Sequence, residues 1–402
     1  MKPTSRMSVG FRNLLGMHGT RDIVLVSAAI LFFWMSLYFY VPFLPIRALE
    51  LGASNTLVGV VISSYAIGQI LLRIPVGIGS DLIGRRRPFA IAAFIASLLG
   101  ALILLVASSP WILFVGRFMT GVAGAGWVAI SVLYISYFGA NRTNQSMSWV
   151  MLINSSGIVL ATLIGGVVGE HFGGQATFIL GVIAASIGTM LLMSGQEPEP
   201  IEEDRFSLSD FRLVMRNRLL LTVSLIGILI HFVTFAVSFS FVPIYAVSVG
   251  ASEFENGLIA ASMFLFSSFG YLVTPWCIKL FGYRSALVGG LFVVVLSVVC
   301  IPSLGDPISL MISQAAGGFG RGMAQLILMT LAVLVVAPSA KTTSMGAYQA
   351  LYALGMFVGP FAAGFIADIW NIDMVFWISS VVSLCAVVTA LWIPKRVAVP
   401  SE

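Results

Sequence analysis

Long apolar runs, separated by short polar segments, recur along the whole chain. Each run is long enough to cross about 30 Å of hydrocarbon as an α-helix. The pattern therefore predicts twelve membrane spans, which we number 1 to 12 in chain order. The predicted spans cover residues 23–46, 56–79, 88–107, 111–137, 146–169, 176–194, 219–247, 255–278, 286–303, 308–337, 345–367 and 374–394.

The composition agrees with a chain that is dissolved in lipid rather than in water. Of its 402 residues 59% are hydrophobic and 9% are charged, whereas soluble domains carry about 25% charged residues. The net charge of +5 is interpreted as a signal of membrane topology, so no nucleic-acid partner is expected. Cys277, Cys300 and Cys385 lie singly in apolar runs, so we predict neither a metal site nor a cofactor.

The basic residues predict which loops face the cytoplasm, because cytoplasmic loops carry an excess of Lys and Arg. With both termini inside, 17 of the 21 Lys and Arg residues are cytoplasmic, Arg47 is outside, and three lie within spans. The cytoplasmic residues are Lys2, Arg6, Arg12, Arg21, Arg85, Arg86, Arg87, Arg142, Arg205, Arg212, Arg216, Arg218, Lys279, Arg284, Lys341, Lys395 and Arg396. We predict a multi-pass protein of the cytoplasmic membrane with a cytoplasmic N-tail (1–22) and C-tail (395–402).

One polar segment, residues 195–218, separates spans 6 and 7 and is predicted to be a cytoplasmic central loop. Its first part is acidic and contains proline, whereas Ser209 is placed to cap a short helix of alternating apolar and basic residues. Such a helix suits the membrane surface. A plain linker is the alternative interpretation.

The chain contains an internal repeat with an offset of 198 residues. Matching residues cluster at equivalent span ends; the pairs include Gly52 and Gly250, Ser54 and Ser252, Gly84 and Gly282, Arg86 and Arg284, and Glu170 and Asp368. An offset of six spans preserves the direction of the chain. The sequence therefore predicts two parallel bundles of six helices each, at residues 23–194 and 219–394.

A short motif stands in the loop between spans 2 and 3. Gly77, Asp81, Gly84, Arg85 and Arg86 have the spacing G-x-x-x-D-x-x-G-R-R. Glycine permits a tight turn, and an aspartate can pair with arginine or cap a helix N-terminus. The motif resembles the signature loop of transporters of the major facilitator superfamily, which carry it at this position. We therefore predict that this loop takes part in gating.

The resemblance implies a fold and a mechanism. Members of this superfamily are built from two parallel six-helix halves, with the substrate site between them near the midplane. Spans 1, 4, 7 and 10 line the central cavity in this family, and the halves rock to expose the site alternately to either side. The resemblance therefore places Arg117, His231 and Arg321 in the cavity and implies that the protein is a transporter rather than an enzyme.

Ionisable residues inside membrane spans are costly, so each is a candidate functional residue. Arg321 lacks a carboxylate at its depth and is interpreted either as a contact for an anionic or strongly polar substrate group or as a structural residue. Arg117 begins a glycine-rich motif of span 4 that looks like that of drug:proton antiporters; a structural arginine is the alternative. His231 is a candidate proton site or a hydrogen-bonded core histidine. Arg73 precedes the signature loop and is predicted to assist the inner gate.

Further candidates are polar side chains near the midplane and small residues in spans. Predicted cavity residues are Gln325, Tyr38, Asn154 and Tyr348. Predicted helix-packing residues are Gly121, Gly355, Gly359, Pro360 and Gly364, because small residues permit close approach and proline permits a kink. Span 5 has Ala161-Thr162 where the drug:proton antiporter motif has Gly-Pro, and span 1 lacks an acidic residue. Both departures weaken assignment to that branch.

We expect a monomeric secondary transporter that moves a small organic molecule without nucleotide hydrolysis, because the chain lacks a G-x-x-x-x-G-K-[ST] motif. Export of an amphiphilic or anionic compound is the first interpretation, with protons as a candidate coupling partner. Proton-coupled uptake of an organic anion and lipid flipping on the same fold are the alternatives. An intramembrane enzyme would need paired acids, a metal cluster or a nucleophile with its base, and the three scattered histidines do not supply these.

Overall fold

The structure is a computed structural model that describes residues 20–138, 142–197, 216–334, 336 and 341–394. Nearly all of the described residues are helical, and none forms a strand. The helices of the first half are Thr20–Tyr38, Leu44–Glu50, Asn55–Ile83, Arg87–Leu105, Pro110–Ala125, Trp127–Ser136, Thr143–Phe172 and Ala176–Ser194. Those of the second half are Arg218–Val233, Thr234–Phe241, Val242–Ser248, Glu253–Cys300, Ile301–Ser303, Pro307–Leu334, Lys341–Ile369 and Ile372–Ala390.

Spans 8 and 9 run together as the single stretch Glu253–Cys300, whose helical backbone is interrupted at Gly282 (φ 77°, ψ 165°). The described residues therefore contain 11 helices long and apolar enough to cross a membrane, one of which holds two spans. The predicted all-α architecture of two six-helix halves is confirmed. Residues 198–215 of the central loop, which include the predicted Ser209 helix, and residues 1–19 and 395–402 of the tails lie outside the described residues, as does the side chain of Asp81.

The repeat is visible in the backbone as well as in the residue matches. Gly84 and Gly282, which are related by the offset, both have positive φ angles (68° and 77°), as do Gly52 and Gly250 (85° and 86°). A positive φ strains residues that carry a Cβ atom. Glycine is therefore retained at these turns because the chain must reverse there in both halves.

Equivalent caps start equivalent spans. The Ser54 and Ser252 hydroxyls accept hydrogen bonds from backbone N–H groups at the starts of spans 2 and 8. At the start of span 10, hydrogen bonds from the Ser309 side chain and backbone lower the pKa of the Asp306 carboxyl. These caps satisfy N–H groups that have no partner within the helix.

The two bundles are tied together at one end, which we call the clasped end. Asp368, at the end of span 11, accepts hydrogen bonds from the backbone N–H groups of Asn55 (3.0 Å) and Thr56 (2.8 Å) in span 2. Its repeat mate Glu170, at the end of span 5, accepts one from the Phe254 N–H group in span 8 at 3.0 Å. Carboxylates are favoured at helix N-termini. Each bundle thus caps a helix of the other.

Small residues allow the backbones to meet at this end. A Cβ atom on Gly59 would overlap the Pro360 carbonyl, and one on Gly257 would overlap Gly166. Gly364 lies equally close to Asn55. Spans 2 and 11, and spans 5 and 8, are therefore in backbone contact across the two bundles. The opposite end carries Arg85–Arg87, and we call it the basic end.

Candidate functional site

A layer of aromatic rings crosses the interface between the bundles. It lies slightly closer to the clasped end than the middle of the spans does. Tyr38 packs edge-on against Phe264 at 5.3 Å between ring centroids, and Phe239 stacks on Phe264 at 5.9 Å. The layer consists of Trp34, Tyr38, Tyr65, Phe235, Phe239 and Phe264, each in ring contact with another member. These residues come from spans 1, 2, 7 and 8, so both bundles contribute.

The local backbone helps to place these rings. Residues 234–241 of span 7 form a π-helical segment, and the equivalent residues of span 1 form turns between Tyr38 and Leu44. Breaks of this kind are common at functional sites. Ser238 and Phe239 lie in the π-helical segment, so the irregular backbone carries both a ring of the layer and a polar partner of Arg321.

Arg117 is enclosed by this layer. Its side chain is 3% exposed, and its guanidinium lies over the Tyr65 ring at 4.4 Å from the centroid. Tyr65 in turn stacks on Phe235. A cation over an aromatic face gains about 2 kcal/mol when it is desolvated, which offsets much of the cost of about 3 kcal/mol for an arginine at this depth. Arg117 thus contributes to packing between spans 4 and 2.

Arg321 is held differently and keeps part of its surface accessible. Its Nε donates to the Gly317 carbonyl at 3.3 Å, and its Nη1 donates to the Ser238 hydroxyl at 2.9 Å. The Ser238 hydroxyl donates to Gln314 Oε1 at 2.8 Å. Spans 7 and 10 therefore orient the guanidinium, while the residue is only half-buried.

His231, Tyr352 and Arg73 form a stack that joins the two bundles. The imidazole of His231 lies flat on the Tyr352 ring, with 4.0 Å between centroids and an interplanar angle of 7°. The Tyr352 hydroxyl accepts a hydrogen bond from Arg73 Nη1 at 3.2 Å. His231 Nδ1 lies 2.8 Å from the Gly227 carbonyl, so Nδ1 carries a proton and Nε2 is the acceptor in the neutral ring.

The backbone positions of these groups differ in depth by only about 5 Å. Helix rise places Arg73 and Tyr352 about 15 Å, and His231 and Arg321 about 20 Å, from the basic end of their spans. Arg73 and Arg321 are both near enough to act on the charge of His231, and Tyr271 is an electrostatic neighbour of Arg321 and Tyr352. We call this set the cation layer: Arg73, His231, Tyr271, Arg321 and Tyr352.

The cation layer is accessible although it lies deep in the spans. Tyr271 is 37% exposed, and the other four members are half-buried. By sequence position every Asp and Glu of the chain lies near a span end, in a loop or in a tail. The positive charges of the layer therefore face accessible space without a carboxylate at their depth.

The remaining predicted cavity residues are distributed unevenly. Tyr38, Asn154 and Gln325 are half-buried, and Tyr38 belongs to the aromatic layer. Tyr348 is fully buried, its ring packed against Gly227 and edge-on to Tyr352. It therefore supports the His231 stack from behind and presents no surface of its own in this conformation.

The predicted packing glycines lie where backbones touch. A Cβ atom would overlap Tyr65 at Gly121, Ile228 at Gly355 and Phe232 at Gly359. Gly364 and Pro360 contact span 2 at the clasped end. These positions bring span 4 against span 2 and span 11 against spans 7 and 2, which sets the spacing of both layers.

The signature loop is organised by a residue that sequence reasoning missed. Glu197, just after span 6, accepts hydrogen bonds from the backbone N–H groups of Arg86 (2.6 Å) and Arg87 (2.9 Å) at the start of span 3. Arg86 Nη1 donates to the Ser80 hydroxyl at 2.6 Å. Gly84 makes the turn with its positive φ, and Gly77 lies near Val128 of span 4. Arg85 is exposed.

Two other features also had no clear signal in the sequence. Tyr352 becomes notable only because span 11 brings it onto His231, and the π-helical segment follows from packing rather than from a motif. The repeat pairing of Glu170 with Asp368 was the available signal for the clasped end. Among the described residues there is no group of three His, Cys, Asp or Glu that could hold a metal ion.

The chain is similar to known transporters over nearly its whole length. The family model of the Major Facilitator Superfamily matches residues 26–249 and again residues 223–402. An uncharacterized MFS-type transporter of Methanocaldococcus jannaschii is 23% identical over 359 residues, covering 86% of this chain and 91% of that protein.

Solved structures share the fold. A bacterial homologue of the human lysosomal transporter Spinster, inward-facing and unoccupied, matches with a TM-score of 0.77 at 14% identity, covering 93% of this chain and 97% of that one. The nucleoside transporter NupG, as a mutant, matches with a TM-score of 0.75 at 14% identity, covering 92% of this chain and 98% of that one.

Proposed function

Because the chain belongs to the Major Facilitator Superfamily, we propose that it is a secondary active carrier for a small organic anion. Its solute crosses the membrane by alternating access between the two bundles. Export of an amphiphilic anion from the cytoplasm is the direction we propose first. Proton-coupled uptake of an organic anion is the alternative, and His231 is then the group that carries the proton.

The observation that supports an anion is the cation layer. Arg73 and Arg321 lie at similar depth in different bundles, are half-buried, and have no carboxylate at that depth. An uncompensated charge in a membrane interior is expensive. A substrate carboxylate, sulfonate or phosphate offsets that cost through charge-assisted hydrogen bonds, which arginine forms in a bidentate geometry.

The contacts between the bundles fit alternating access. At the clasped end, backbone packing and two carboxylate caps join the bundles. Toward the basic end, the Arg73–Tyr352 hydrogen bond is a contact between single side chains. A conformational change that opens one end needs to exchange these contacts for others at the opposite end. Substrate that binds Arg73 engages the same guanidinium as Tyr352 and so acts on the contact between the bundles.

The test is flux through proteoliposomes that contain the purified full chain. Three probes of one shape and different charge are compared: a carboxylate, the matching alcohol and the matching ammonium. We expect the carboxylate to be transported and Arg321→Ala to abolish its transport without unfolding the protein. Wild-type flux in Arg321→Ala, or equal flux of alcohol and carboxylate, contradicts the proposal.

Measuring efflux and influx separately determines the direction of transport and whether it is coupled to protons. Vesicles in which one orientation is inactivated by a membrane-impermeant reagent report efflux and influx separately. An imposed pH gradient that drives carboxylate accumulation supports proton coupling. Indifference to the gradient contradicts it and leaves anion transport itself intact.

A further inference from the structure

Spans 2, 7 and 8 each contribute residues to both the aromatic layer and the cation layer. In span 8, Phe264 and Tyr271 are seven residues apart, which places them on one face of the helix about 10 Å apart along its axis. In span 7, Phe239 lies eight residues beyond His231 toward the clasped end. The rings therefore lie toward the clasped end from His231, whereas the Arg321 guanidinium reaches their level through its hydrogen bond to Ser238, the neighbour of Phe239.

The interface closes beyond the rings. The gap on their far side, which is bounded by Pro42, Ser238 and Asn256 together with Phe239 and Phe264, has a volume of about 10 Å³. A cavity that holds one water needs at least about 10 to 15 Å³. The interface thus leaves no room for a ligand beyond the rings, and we call the aromatic layer the floor of the site.

Two rings of this floor keep accessible surface. Tyr38 and Phe264 are half-buried, whereas Trp34, Phe235 and Phe239 are at most 8% exposed. Tyr38 comes from the first bundle and Phe264 from the second, and they touch edge-to-face. An aromatic ring placed against this pair gains offset or edge-on contacts, so the floor is suited to a flat apolar group.

Resting on the proposed function, we infer that the substrate is an aromatic organic anion that spans both layers. Its anionic group lies at Arg73, its ring lies against Tyr38 and Phe264, and Arg321 borders the ring end of the site through Ser238. Ligand length follows from the separation of Arg73 and Tyr65, which are eight residues apart in span 2 and therefore about 12 Å apart along its axis. A compact aliphatic anion reaches only the arginines, and a neutral aromatic compound gains only the ring contacts.

The tyrosine hydroxyls of the cation layer give the site further polar contacts. Tyr352 already accepts from Arg73, and its hydroxyl hydrogen is directed elsewhere, because a hydroxyl both donates and accepts. An anionic oxygen bound to Arg73 can receive that hydrogen. Tyr352 is thus expected to orient the anionic group, while its ring remains stacked on His231.

The experiment compares binding of three probes to the full chain in lipid nanodiscs by isothermal titration calorimetry, with empty nanodiscs as the baseline. The probes are biphenyl-4-carboxylate, acetate and biphenyl-4-methanol. Burial of the two rings and pairing of the charge are each expected to contribute at least about tenfold in affinity. Biphenyl-4-carboxylate should therefore bind at least about tenfold more tightly than either of the other probes.

Matched variants test the contact of the ligand's ring with Phe264 and the contact of its anionic group with Arg73. Phe264→Leu should lower the preference for biphenyl-4-carboxylate over acetate by roughly three- to tenfold, whereas Phe266→Leu, on the exposed lateral face of the same span, should leave it unchanged. Arg73→Gln should lower the preference for the carboxylate over the alcohol. Arg284→Gln, in the loop after span 8, is its control.

The outcomes separate this inference from the proposed function. Equal affinity for acetate and biphenyl-4-carboxylate, with the alcohol bound poorly, overturns the aromatic substrate and leaves anion transport standing. Equal affinity for the alcohol and the carboxylate overturns the proposed function itself. An equal effect of Phe264→Leu and Phe266→Leu also overturns the aromatic site. The comparison of probes on the wild-type protein decides the matter even where a variant fails to fold.

Discussion

Arg117 and Arg321 both lie within membrane spans, yet their side chains differ in exposure and in contacts. Arg117 is 3% exposed and lies on the Tyr65 ring. Arg321 is half-buried, is oriented by Gly317 and Ser238, and has Tyr271 as an electrostatic neighbour. From this difference we expect Arg321 to contact substrate and Arg117 to act in packing, with the Tyr65 ring as its main stabilising contact.

The largest expected effect is a reversal of charge in the cation layer. Arg321→Glu should lower carboxylate flux at least about 100-fold, because a charge-assisted hydrogen bond of about 3 kcal/mol is replaced by repulsion. The matching ammonium probe should gain flux. Proteoliposome uptake measures both, and Arg321→Gln serves as the neutral control. Unchanged carboxylate flux in Arg321→Glu would remove Arg321 from the substrate site.

Arg117 should respond in stability instead. Arg117→Gln removes a cation stacked on Tyr65, so we expect the free energy of unfolding to fall by about 2 kcal/mol. The KM for the carboxylate should stay within about twofold of wild type, because the side chain is covered. Thermal unfolding followed by tryptophan fluorescence and flux assays measure the two effects. A large change in KM with unchanged stability would contradict the contrast between the two arginines.

The partnership of Arg117 with Tyr65 can be measured directly. In a double-mutant cycle of Arg117→Gln and Tyr65→Leu, we expect a coupling free energy of about 1 to 2 kcal/mol. The same cycle with Arg321→Gln and Tyr65→Leu should give additive effects within about 0.5 kcal/mol. Strong coupling in the second cycle would show that the aromatic layer also holds Arg321.

The smallest expected effect is that of His231→Phe. Phenylalanine keeps the flat stack on Tyr352, so carboxylate flux down its own gradient should change less than about twofold. The informative measurement is the same flux under an imposed pH gradient. If the wild-type protein responds to the gradient and the variant does not, His231 carries the proton. An equal response of both proteins assigns proton coupling to another group.

Much of the fold was predictable because local physical signals repeat along the chain. Span length follows from the thickness of the hydrocarbon, and the offset of 198 residues predicted the equivalent turns at Gly84 and Gly282, which share a positive φ. The boundary between spans 8 and 9 was less predictable. The apolar pattern suggested a polar break, whereas the helix continues through Lys279 to Gly282.

The candidate site was predictable in its residues but not in its arrangement. Arg321 and His231 were named from their depth and from the family resemblance, and Arg73 was assigned to gating because it precedes the signature loop. The structure joins Arg73 to Tyr352, which is 279 residues away along the chain. Such a contact has no periodic signal, because it depends on how spans 2, 7 and 11 pack.

The sequence by itself determined that this chain is a membrane protein of two repeated halves, and it identified the few charges that lie within the spans. The lengths of the apolar runs, the glycines at the turns and the spacing of the repeat can all be read directly from the order of the residues. Only the tertiary structure decided which of these charges are covered and which are accessible. The covering of Arg117 by Tyr65 and the partial exposure of Arg321 depend on side chains from other spans, and the close packing of glycines fixes how near those spans approach.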